Sequence, residues 1–146
     1  MKRGRIIPEL MLMSACALIV TVGCAAAGPT RDNAPERVKA GTWGGTGAAL
    51  KVTDAGAKIE SDCANGQISG PLTLDADGRF AAEGTWTAEH AGPVRIDEEP
   101  VAARVRYTGR VSGSTMTLDV SLIESGQSIG SFTLKLGSDG ELRKCR

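Results

Sequence analysis

The sequence predicts an all-β fold: an antiparallel up-and-down meander of eight or nine strands that buries one face by closing into a small barrel, with a β-sandwich as the alternative. Three observations carry this. Apolar and polar residues alternate with period two from Gly41 onward, short turns rich in Gly, Asp and Asn separate the runs, and no helical periodicity follows the N-terminal apolar segment.

The chain begins with Lys2, Arg3 and Arg5, continues with an apolar run from Leu10 to Val22, and reaches the small residues of GCAAAG. This is the layout of an export signal, and the run is shorter than the roughly 18 residues needed to span a bilayer. Residues 1–23 are therefore expected to be the signal and residues 24–39 a polar, Pro-containing tether. The TVGC stretch resembles the bacterial lipoprotein box, which implies a lipid on Cys24 and a cell-envelope location. Thr21 stands where that motif usually has Leu. The alternative is ordinary cleavage after Ala27, giving a soluble periplasmic or secreted protein.

Removing the leader takes away three of 17 basic and one of 17 acidic residues, leaving 14 against 16 and a formal charge of −2. That balance gives no electrostatic basis for binding nucleic acid. Cys63 and Cys145 are the two cysteines of the remaining domain, residues 40–146, in a compartment that permits disulfides. A bond between them is expected to be structural, since two thiols are too few for a four-cysteine zinc site.

In the first expected strands Ala48, Leu50 and Val52 share one face, as do Ala57, Ile59, Ser61 and Cys63 after the DAG turn. Asn65-Gly66 is a strong hairpin signal. Ile68, Leu72 and Leu74 form the next run, with Pro71 marking an edge or bulge. Phe80, Ala82, Gly84 and Trp86 follow on one face. Val101, Ala103, Val105, Tyr107 and Val111 then point inward, opposite Arg104, Arg106, Thr108 and Arg110. Met116, Leu118, Val120 and Leu122 continue the alternation, and Phe132, Leu134 and Leu136 lead through GSDG into a last segment, ELRKCR.

GTWGGTGAAL at Gly41–Leu50 is not a phosphate loop. A dinucleotide fingerprint needs a third glycine and a following helix, whereas Gly45 and Gly47 are followed by Leu50 and a strand; no Gly-Lys-Ser/Thr is present either. The Gly41-x-Trp43 pattern instead resembles the opening strand of calycins, the lipocalin and avidin-like barrels. That resemblance implies a tryptophan packed at the closed end of the barrel beside a basic residue near the last strand, here Arg143 or Lys144. The exported region also resembles a group of small bacterial secreted proteins and lipoproteins with a GTWGG, DCANG, GRF and YTGRV layout, for which no activity is implied. Two Trp, one Tyr and two Phe are too few for an avidin-like aromatic cage, so biotin is not carried over.

Enzyme motifs fail on context. GQSIG around Ser128 matches the nucleophile elbow, but that motif needs a strand, a sharp turn and a helix, and His90 is the sole histidine. DADG at Asp75–Gly78 begins like a calcium loop, yet Trp86 occupies the position of its last carboxylate. Both read as turns, and neither a catalytic residue nor a cofactor is expected. Arg104, Arg106 and Arg110 read as a solvated strand face that discourages edge pairing.

The long connection AEHAGPVRIDEEP is the exception to the tight turns and carries the candidate contact residues His90, Asp97, Glu98 and Glu99. As metal ligands they are a low-specificity set. Their acidic end suits a basic protein partner. Two functions are expected of such a non-enzymatic envelope barrel: carriage of a small apolar ligand inside it, or docking of a protein partner, as an inhibitor of a protease or lysozyme would.

Overall fold

The computed structural model describes residues 34–90, 92 and 100–145. Among them, eight antiparallel strands form a closed up-and-down barrel: β1 Gly41–Gly45, β2 Ala48–Thr53, β3 Gly56–Ser61, β4 Ala64–Ser69, β5 Arg79–Ala88, β6 Ala102–Ser112, β7 Thr115–Leu122 and β8 Ser128–Leu136. Each strand pairs with the next in sequence. The closing seam is the shortest ladder, with Trp43 opposite Leu136 and Gly44 opposite Lys135.

The alternation read from the sequence sets the inside. Trp43, Leu50, Ile59, Ile68, Val105, Tyr107, Met116, Leu118, Val120 and Leu134 are each less than 2 % exposed. An eight-stranded barrel is just wide enough for its own side chains to fill it, and these large residues do so. Phe80 and Trp86 extend the same core.

Several local expectations are corrected. Asn65-Gly66 is not the hairpin turn: Asp62 and Cys63 turn the chain, and Asn65 and Gly66 lie within β4. Gly66 sits there because a Cβ would collide with the Tyr107 hydroxyl and the Thr85 carbonyl. Cys63 is consequently exposed rather than inward-facing. Val101 lies outside β6 and is 88 % exposed.

β4 ends at Ser69, before Pro71, so Leu72 and Leu74 do not continue a strand. They meet residues expected in the tether: Val38 N–H donates to Leu72 O at 2.9 Å, and Leu74 N–H to Glu36 O at 2.7 Å. Val38 and Leu72 are both buried, so this crossing covers the end of the barrel at which β1 begins. Apolar burial explains the order of a segment whose composition alone suggested a linker.

ELRKCR does not form a ninth strand. After β8 the chain turns back along the outside of β1, where Glu141 N–H donates to Gly45 O and Gly47 N–H to Glu141 O, both at 2.9 Å. This strap requires Gly44: a Cβ there would stand 2.7 Å from the Asp139 carbonyl carbon and closer still to Gly140 N and Ser138 O. The glycines of GTWGG thus serve close backbone approach. Gly44→Ala is expected to destabilise the fold by about 1–3 kcal/mol through overpacking, read as a lower urea midpoint.

Candidate functional site

The candidate loop leaves the barrel at the end opposite the Val38 cover, where the 45–48, 61–64 and 122–128 turns also lie. Its first residue beyond β5, Glu89, is fixed by both backbone and side chain. Glu89 N–H donates to Cys63 O at 2.8 Å. Its Oε1 accepts from Asn65 Nδ2 at 2.9 Å and its Oε2 from Lys144 Nζ at 3.5 Å.

The same end holds the C-terminus. Cys63 pairs with Cys145 as a disulfide with a Cα–Cα distance of 5.2 Å. Arg143 N–H donates to Asp62 Oδ1 at 2.6 Å, Cys145 N–H to Asp62 O at 3.2 Å, and Lys144 Nζ to Ser61 O at 3.2 Å. The 62–63 turn therefore anchors the loop entrance and the chain end together.

The Asn65 hydrogen bond above all, helped by the charge and hydrogen bond of Lys144, holds the Glu89 carboxyl below its ordinary value of 4.5 against the opposing effect of burial. A folded pKa below the unfolded one means that the unfolded chain binds the proton more readily. The contribution is complete above about pH 4.5 and lost as pH falls through the lower folded value. Asp75 acts in the same direction: Arg79 N–H and Asp77 N–H each donate to its Oδ1 at 2.8 Å, which lowers its pKa from 3.8. In a series of melts from pH 7 down to pH 3, Glu89→Gln is expected to give a shallower acid limb than the wild type.

His90 is exposed beside Glu89. Asp97, Glu98 and Glu99 lie outside the described residues, as does Cys24. Trp43 is fully buried, but its indole N–H donates to Lys39 O at 2.9 Å. Arg143, the basic partner implied by the calycin resemblance, instead uses its backbone at the opposite end of the barrel. Gly41 opens β1 with φ at +136°.

The remaining motifs have structural uses. Asp75–Gly78 is a turn closed by Gly78 N–H to Asp75 O at 3.0 Å. Ser128 is an exposed residue at the start of β8 and is followed by strand, not helix. Arg104 and Arg106 each reach Glu83 at 3.4 Å across an exposed face. Tyr107 O–H donates to Thr85 O at 2.6 Å, and burial raises the phenol pKa. Nothing local in the sequence marks Glu89 or Asp62, because their roles depend on distant partners: Asn65 and Lys144 for Glu89, Arg143 and Cys145 for Asp62. No family model, curated protein or solved structure matches the chain.

Proposed function

We propose that this protein is a non-enzymatic, exported β-barrel of the cell envelope, held to the membrane by a lipid on Cys24, that works through its outer surface as a protein-binding module. The filled interior carries this reading. Ten large side chains under 2 % exposed occupy the space that an apolar cargo would need, which favours partner docking over carriage. Kinship with calycins belongs to the same proposal and rests on Gly41, Trp43 and the barrel topology.

The proposed contact is the 88–100 connection, with His90 at its start and Asp97, Glu98 and Glu99 near its end. Its entrance is anchored by the Glu89 contacts, which lowers the ordering cost of presenting a loop to a partner. The acidic residues suit a basic partner, as expected of an inhibitor of a protease or lysozyme.

Replacing residues 91–99 with a short Gly/Ser linker tests this while leaving Glu89 and β6 in place. In photo-crosslinking from position 90 within intact envelopes, the wild type is expected to give a discrete adduct that the linker variant loses, with an unchanged melting temperature. Partner binding that survives the replacement would remove the loop from the proposal.

A further inference from the structure

On the side of the barrel formed by β2, β3 and β4, the ladder registers set an unusual row across the outer surface. Lys51 is directly opposite Lys58, and Lys58 is directly opposite Gln67. All three side chains are exposed. Like charges directly opposite on neighbouring strands repel, and neither ammonium enters an ion pair among the described residues. Glu60, the nearest carboxylate along β3, faces Lys144 at 3.9 Å.

The row borders an open pocket of about 470 Å³ toward the 53–56 turn, lined also by Thr53, Ser69 and Gly70, with no carboxylate among its lining residues. Its donors can be sorted. The Thr53 hydroxyl hydrogen is already given to Gly56 O at 3.1 Å, and Gly70 N–H to Ala55 O at 3.0 Å. The two ammonium groups, the Gln67 amide and the Ser69 hydroxyl remain to face a ligand.

We propose that Lys51, Lys58, Gln67 and Ser69 form a binding site for a phosphate group. One tetrahedral oxyanion bridging the two ammonium groups replaces their repulsion with two charge-assisted hydrogen bonds, and its other oxygens accept from Gln67 and Ser69. Lysines suit this role as compact point charges on flexible stems. This site is separate from the 88–100 connection, at the opposite end of β3 and β4 from the 61–64 turn.

The test uses the mature chain made without its lipid, isotope-labelled for amide NMR, and titrated with inorganic phosphate against sodium chloride at equal ionic strength. The amides of Lys51, Lys58, Gln67 and Ser69 are expected to shift along a saturating curve. The double variant K51Q/K58Q is expected to bind phosphate about tenfold more weakly or worse, the scale expected when charge-assisted hydrogen bonds are removed. Without phosphate, the same variant should melt no lower than the wild type, because the repulsion is gone. That separates lost binding from lost folding.

Sedimentation with phosphatidylglycerol vesicles, against phosphatidylcholine vesicles, distinguishes the source of the phosphate. Retention that the double variant loses assigns the site to a lipid headgroup; amide shifts without retention assign it to a soluble phosphate compound. Shifts that are linear, spread over the whole barrel, or equal in K51Q/K58Q overturn the proposal, whatever the vesicles do.

Discussion

Trp43→Ala is expected to lower stability by about 3–5 kcal/mol, the range for truncating a buried aromatic residue in a packed core. Three effects converge on this side chain. It is fully buried, its indole N–H satisfies the Lys39 carbonyl, and it stands at the closing seam, opposite Leu50 on one side and Leu136 on the other. That seam has two paired positions, against nine between β5 and β6, and beyond them β1 is held by Gly137 N–H to Thr42 O at 2.8 Å and by the strap that follows β8. Natural domains of this size have about 5–15 kcal/mol in total, so the variant should be close to unfolding at 37 °C. Trp43→Phe keeps most of the packing and loses the hydrogen bond, and should cost about 1–2 kcal/mol. Urea unfolding followed by circular dichroism measures both. A Trp43→Ala midpoint close to the wild type would mean that the barrel closes without this residue.

Removing the disulfide is the second large effect. Cys63 and Cys145 are 82 positions apart, and on the chain-entropy model a link of that span contributes about 4 kcal/mol. For a domain of about 100 residues this is on the order of 20 °C in melting temperature. The double variant C63S/C145S should therefore melt well below the wild type, and the wild type under reducing conditions should match it. A further consequence is local. Freed from the 62–63 turn, residues 143–145 lose their anchor, and with them Glu89 loses the Lys144 contact. Amide exchange at Glu89 and Glu141 should speed up before exchange in the barrel core does. Equal melting of the oxidised and reduced wild type would show that the link adds nothing to the barrel.

The inward faces of the strands were legible because the signal is local: Ala48, Leu50 and Val52 occupy alternate positions, and the pleat puts alternate positions on one side. Where the deciding contact is distant, the sequence misleads. Asn65-Gly66 carries strong hairpin chemistry, yet Gly66 is glycine because Tyr107, two strands away, needs the space. The tail from Gly137 has turn residues and charges in no clear period. Its path is set by the absent side chain of Gly44 and by Cys63, neither of which a local window contains. Val38 has the local context of a linker, because its partner, Leu72, is far along the chain.

The candidate site divides in the same way. The long 88–100 connection stands out by length and charge alone. The engagement of Glu89 with Lys144 does not, since it depends on how the C-terminus returns to the far end of the barrel. Lys51 and Lys58 fall between the inward positions of adjacent strands, so the alternation alone turns them outward. Their direct opposition follows only once Thr53 is paired with Gly56 across the intervening turn.

The claim that the protein acts from its outside rather than its interior is tested most directly by a native mass spectrum of the protein purified gently from its own envelope. The expected mass is that of the processed polypeptide with one disulfide and any covalent lipid, unchanged in composition when the protein is denatured. An apolar small molecule retained in the native spectrum and lost on denaturation would contradict this account, because the filled barrel would then have to open around a ligand.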